Sequence, residues 1–564
     1  MRYIRTQVII TLVGLALVGG LLYFQAVGLV TVLVPAPGGT HTEAIVGSPR
    51  SLNPLLTTGI QSERDLASLL FSGLIRFDAS GIPQADLAER WAVTSDGMSY
   101  TFVMRSGLHW DDGAPLTLDD VIFTLQLMQD EALPGSLEVG ALWRTVYVQK
   151  LSETTLKLSL PEPFSPFLDF TAFPVLPAHI FQSATAATLA EHPANLSPVG
   201  SGPFKLADVT LINDVVTSVD LVANENYYGK TPLVGELRFV FYPDEETALE
   251  AFEVGDVTGL GGVQPAYLSE LLSTETTNIY SGRLPEYTLI FVNQQNEALP
   301  FFQEKRVRQA LLLGLNRKKM VDSILRGQAV IANGPILQDT WAYNDNLVTV
   351  RFDPEAANAR LDDAGWLLPE TAIPGTEEYV RQKAGQALDF ALLIPDDPIS
   401  QAIGQLAVEN WTALGASVTL QIAPAVNITS DYLEPRLYEA VLVSVSFAES
   451  PDPDPYPFWH QTEIEGGQNY AGYNNRDLSE VLEQARTINS LADRARFYRA
   501  FQTRFADEAP ALLLYTPIYT YAVNERVRGV QLGPLLDPSD RFLSVSDWYI
   551  VTRRIIANAS ETTS

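Results

Sequence analysis

"ISQAIGQLAVENWTALGASVTLQI", residues 399 to 422, holds a helix, its stop and the strand that follows. Ile403, Leu406, Ala407, Trp411 and Leu414 recur three and four apart, which stripes one helix face with apolar side chains. Gly415 supplies the stop, because glycine enters the left-handed conformation of a helix end without steric cost. Val418, Leu420 and Ile422 then alternate as a half-buried strand does. A helix handed to a strand by one glycine indicates an α/β sheet domain.

The same grammar runs outward in both directions. "FDPEAANARLDDAG" (352–365) carries Asp353 as a cap, Pro354 at the first helical position and Gly365 as a stop. "EKRVRQALLLGLNRKKMVDSILRG" reads as one long helical stretch ended by Gly327, and "EYTLIFVNQ" (286–294) as a strand before it. Nearer the N-terminus, Tyr100, Phe102 and Met104 share one strand face, as do Leu156, Leu158 and Leu160. Between them "TLDDVIFTLQLMQDE" opens on a capping-box-like Thr117 and Asp120.

Size and composition bound the function. At 564 residues the chain is too long for one core and should hold two or three domains. A net charge of −30 repels phosphate backbones, so nucleic acid is not expected as a partner. With no cysteine there are no disulfides, thiolate chemistry, cysteine metal sites or lipid-modified cysteine. The five histidines show no metal-ligand spacing, and neither a nucleophile elbow nor a phosphate-cradling glycine loop occurs. No catalytic residue, metal or cofactor is therefore assigned, and His109, beside Trp110, is read as a packed histidine.

After Arg2 and Arg5, residues 6–34 carry no charge. As a helix those 29 residues would span roughly 43 Å, against a hydrocarbon core of about 30 Å. The expectation is an uncleaved transmembrane anchor, positive end inside, with a tether to about residue 40 and everything later outside the cytoplasm.

The chemistry concentrates after "YEAVLVSVSFA". Val441, Val443, Val445 and Phe447 fall on one face of this strand; Leu442, Ser444 and Ser446 fall on the other. Two serines suit a side that meets water or ligand. The strand runs into "ESPDPDPYPFWH", where α/β sheets place ligands outside strand ends. Among its carboxylates Glu449 and Asp452 could in principle form an acid and base pair, but Pro451 and Pro453 bracket Asp452 and no positioned nucleophile stands nearby in sequence.

At larger scale the chain resembles the solute-binding proteins, family 5, that serve peptide and nickel ABC importers. "SGLIRFDASGIPQADLAERWAVTSDGMSYTFVMRSGLHWDDGAPLTLDDVIFTLQLM" (72–128) carries the likeness almost phrase by phrase. "VGSGPFKL" (199–206), "VRQALLLGLNRKKMVDSILRGQA" (307–329), "FDPEAANARLDDAGW" and "SPDPDPYPFWH" followed by "NYAGYNN" continue it in order, over roughly residues 43–530. The resemblance implies a two-lobe α/β fold of the periplasmic-binding-protein type (class II, cluster C) with an extra inserted subdomain. Lobe one would comprise 41–75, 200–283 and 510–556, with 76–199 inserted, and lobe two 284–509.

It also implies a site and partners. An acid leaving this strand accepts a ligand ammonium in peptide-binding members, and Glu449 occupies that position, where Asp is usual. Asp452 belongs to a shared Asp-Pro turn with a structural part. Ser446, Phe447, Trp459, Trp341 and Tyr343 from "WAYND", and Asn53 from "SLNPLL" complete the candidate ligand-binding set. The implied partners are a peptide or other small solute, ABC permease subunits and, through the N-terminal helix, the membrane, with the protein a monomer and not an enzyme. A membrane-anchored receptor or chaperone on the same fold, or a binder of neutral oligosaccharide, are the alternatives; a secreted hydrolase is the weakest.

Overall fold

The computed structural model describes residues 8, 9, 11–22, 31–57, 59–135, 137–376, 378–447 and 452–556. One sheet of twelve strands runs through both lobes. In chain order these are β1 (Thr40–Val46), β2 (Phe204–Ile212), β3 (Val215–Ala223), β4 (Glu236–Tyr242), β5 (Gly259–Gly261) and β6 (Thr277–Arg283). Lobe two adds β7 (Glu286–Val292), β8 (Ala329–Ile331), β9 (Asp389–Pro395), β10 (Ser417–Ala423) and β11 (Ala440–Ser446), and β12 (Leu512–Asn524) returns. The lateral order is β10-β9-β11-β7-β12-β5-β1-β4-β3-β2, with β6 and β8 also paired to β12.

The strand β12 joins the lobes. Its first residues pair with β7 and β8, its last with β5 and β6, and Pro517, which has no N–H to donate, is the last residue opposite β8. The other crossing is Leu284-Pro285 between β6 and β7, where Leu284 N donates to Pro517 O at 3.0 Å. These two adjacent crossings connect the lobes.

The helix–glycine–strand stretch folds as read. Helix Pro398–Ala413 is capped by Asp397, which accepts from Ser400 N at 2.9 Å, and buries Ile403, Leu406, Ala407 and Trp411. Gly415 has φ +85° and hands the chain to β10, parallel to β9. Burial of Ile403 and of Leu406 contributes about 1.5–3 kcal/mol each.

A four-stranded sheet (Ala88–Val93, Ser99–Met104, Thr155–Ser159, Tyr147–Lys150, in that order) forms the insertion. Helix Leu118–Gln129 closes its core, opened by the capping box of Thr117 and Asp120. The insertion is seated on lobe one where two of the quoted phrases meet. Ser201 N and Gly202 N both donate to Leu70 O (2.9 and 2.8 Å), and Gly200 N donates to Asp111 Oδ2 at 2.8 Å. A Cβ on Gly202 would lie 2.3 Å from Leu69 O, so only glycine fits.

Three expectations are corrected. The apolar segment is not one helix to residue 34: Thr31–Ala36 is a strand, paired antiparallel with Val551–Ile556 in a ribbon apart from the main sheet. Its threonine and valines suit a strand, a two-strand ribbon tolerates Pro35 because both of its strands are edges, and the partner supplies its hydrogen bonds. Residues 11–22 are helical, and among the described residues no helix is long and apolar enough to cross a membrane. The 304–327 stretch breaks after Lys305–Leu313, because Gly314 closes that helix and the Asn316 side chain caps a new turn by accepting from Lys319 N. His109 is exposed; Trp110 beside it is the packed ring.

Candidate functional site: a cavity at the lobe junction

Helix Gln61–Leu70 forms one wall of a cavity of about 540 Å³. Arg64, Ala67 and Ser68 face it from the helix, and Phe71, Ile75, Arg76 and Phe77 from the chain that follows. The insertion contributes Met128, Trp143, Asp169, Phe170 and Phe173; the C-terminal stretch contributes Leu536, Asp537, Asp540 and Phe542. The volume and the mix of aromatic walls with a few charged groups are those of a small-ligand site.

The charges are arranged unevenly. Arg64 Nε meets Asp537 Oδ2 at 2.9 Å, a pair that stiffens the floor. Arg76 is exposed and forms no ion pair among the described residues. Behind it Asp86 takes Gly73 N (3.2 Å) and the Tyr228 hydroxyl, and burial pushes its carboxyl up. Burial likewise pushes Asp540 up to about 6, although Leu536 N and Asp537 N donate to it.

The described residues lining the cavity come from lobe one and the insertion, and lobe two touches two of those residues from outside it. Asp169 Oδ2 accepts from Asp452 N. Leu536 also lines a small crevice with Phe447 and Pro453. The insertion is clasped to lobe two beyond the cavity, by Ser165 Oγ donating to Ile488 O (2.7 Å) and Asn489 Nδ2 to Thr94 O (3.3 Å).

The residues nominated from sequence scatter around this cavity. Glu449 lies outside the described residues, between Phe447, whose ring is 5.2 Å from Tyr287, and Asp452. Ser446 is exposed at the end of β11, as is Ser444, so the polar face of that strand is open. Trp341 and Tyr343 sit one layer back: the Arg494 guanidinium is 5.2 Å from the Trp341 ring, and Tyr343 O accepts from Arg499 Nε. Trp459 is in the lobe-two core, 4.6 Å from Phe505. Asn53 is buried, donating to Asn195 Oδ1 (2.9 Å) and accepting from Leu55 N (3.0 Å). Asp452 is buried and held by both terminal nitrogens of Arg494 and by Tyr498, which makes it structural. Sequence reading missed Arg64, Arg76, Trp143, Asp169 and Asp537. Only the aromatic run "SPFLDF" carried a signal, two exposed-looking rings around one acid.

Two α/β lobes joined by two chain crossings, a sheet inserted in the first, and a cavity between that lobe and its insertion are the architecture of the two-lobe solute-binding proteins. The chain belongs to the bacterial extracellular solute-binding proteins, family 5, whose middle-region family model matches residues 83–466. It is 26% identical over 528 residues to the oligopeptide-binding protein AppA of Bacillus subtilis, covering 92% of each chain. It is 24% identical over 518 residues to the dipeptide-binding protein of Escherichia coli, covering 87% of this chain and 91% of that one. The solved structure of Bacillus subtilis AppA with a nonapeptide superposes with a TM-score of 0.69, covering 92% of this chain and all of that one, at 24% identity.

Proposed function

We propose that the protein captures short peptides in the junction cavity and delivers them to the permease of an ABC importer. The observation that carries this reading is the cavity itself: it lies between lobe one and the insertion, is walled by aromatics, and offers Arg76 for a carboxylate. In the same reading Glu449, three residues before Asp452 in sequence, receives the ligand ammonium through a charge-assisted bond. No residue is assigned a chemical step; the protein binds and releases. The names of the oligopeptide- and dipeptide-binding relatives support peptide over neutral oligosaccharide.

The uncharged run from residue 6 to residue 30 supports a membrane anchor, with the Thr31–Ala36 ribbon as its stalk and the body outside the cytoplasm as a monomer. Native mass spectrometry of the purified protein tests the ligand class. Retained masses that fragment as peptides support it; retained sugars or a metal complex contradict it.

A further inference from the structure

Five arginines are at least nine-tenths buried among the described residues. Four of them face carboxylates: Arg541 meets Glu43 and Asp65, Arg494 meets Asp452, Arg381 meets Asp362, and Arg308 lies 4.0 Å from Glu508. Arg317 does not. It is 4% exposed and is held only by main-chain carbonyls, with Nη1 donating to Ala332 O (2.8 Å) and Leu513 O (2.9 Å) and Nη2 to Val350 O. A guanidinium has five N–H donors, so these three bonds leave two unspent.

Beside it is a void of about 20 Å³, large enough for one or two solvent-sized species. Its other walls are Leu312, Val350, Phe505, Ala509 and Leu513, with Asn333 the one neutral polar side chain. The Asn333 Oδ1 is buried and has no hydrogen-bond partner. With its amide turned over, which exchanges oxygen for nitrogen in the same outline, Asn333 becomes a third donor into that space. Burial alone pulls Arg317 down, to about 10. A buried cation without a counter-charge is expensive, and the other four buried arginines show how this chain ordinarily meets that cost.

We infer that the Arg317–Asn333 void is a binding site for a small monovalent inorganic anion of the halide class. The anion lies between the two free guanidinium N–H groups and the Asn333 amide, within apolar walls that exclude larger anions. Its place gives it a structural effect. Arg317 already ties the residue after β8 to β12, on the lobe-two side of the crossings, so an anion there neutralises the clamp that fixes the crossing strand.

Bromide is the probe. The full chain, dialysed free of halide at constant ionic strength, is melted against increasing bromide, beside Asn333→Leu, which keeps the arginine and fills the void with an apolar group. The parent melting temperature should climb with bromide, and at a hundredfold over half-saturation the folded-to-unfolded ratio should rise about a hundredfold. The dependence should vanish in Asn333→Leu, and a bromide-soaked crystal should show an anomalous peak beside Arg317. A parent indifferent to bromide, a dependence that survives in Asn333→Leu, or a soaked crystal without that peak would each overturn the site.

Discussion

Asp452 and Glu449 stand three residues apart and separate two jobs that a sequence motif runs together. Asp452 is half of a buried ion pair with Arg494, so Asp452→Asn leaves a buried guanidinium unpaired and should cost about 3–5 kcal/mol in denaturant unfolding. Replacing both partners with apolar residues should restore most of that loss; failure to restore it would mean that the pair is not the cause. Glu449→Gln should instead leave unfolding unchanged and weaken peptide binding roughly ten- to a hundredfold, the worth of about 1.5–3 kcal/mol in a charge-assisted bond. Equal affinity in calorimetry would remove Glu449 from the site.

A third residue carries a pH signature. Burial pushes the Asp111 carboxyl up to about 6. The folded chain then holds that proton more tightly than the unfolded chain does. Asp111 therefore adds most stability below about pH 4 and loses it as pH rises through about 6. Asp111→Asn should flatten this fall in the melting temperature while still accepting from Gly200 N; an unchanged slope would assign the effect elsewhere. The structural part of Asp452 was implied by the shared Asp-Pro turn of the family it resembles, although its Arg494 partner was not foreseen. Arg76 and Asp169 were not foreseen either, because a cavity wall is assembled from segments about ninety residues apart and no local pattern marks its members.

Elements were read best where one rule governs them. Helix Pro398–Ala413 and Pro354–Asp363 start on their Asp caps and end before glycines at positive φ, as their sequences state. The stretch from 304 to 327 failed because its apolar periodicity continues through Gly314 and Asn316, and periodicity alone does not register a cap inside a run. Residues 31–34 failed for the opposite reason. An uncharged stretch reads as helix until the strand partner, more than five hundred residues away, is known. The glycine pair at 200 and 202 is the element-scale test. Gly202→Ala drives a Cβ against the Leu69 and Leu70 main chain at the seat of the insertion. It should destabilise the protein by at least about 1–3 kcal/mol, the usual cost of overpacking. A melting temperature equal to the parent's would mean that the seat can shift.

At the scale of the whole molecule, the insertion is tied to lobe two and two chain crossings connect the lobes, which is the layout of a jaw. Opening breaks the contacts of Ser165 with Ile488 and of Asn489 with Thr94 while β12 and Leu284-Pro285 bend. The radius of gyration from small-angle scattering should therefore fall when peptide is added to ligand-free protein; a radius that does not change at saturation would describe a rigid receptor. The central claim is that solute occupies the cavity beside helix Gln61–Leu70. Ser68 is exposed there, and a bulky ring in its place fills the space without entering a core. The most direct measurement is calorimetric titration of short peptides into the parent and into Ser68→Trp. The account predicts that the variant melts with the parent and binds at least tenfold more weakly; a folded Ser68→Trp that binds peptide as tightly as the parent would contradict it.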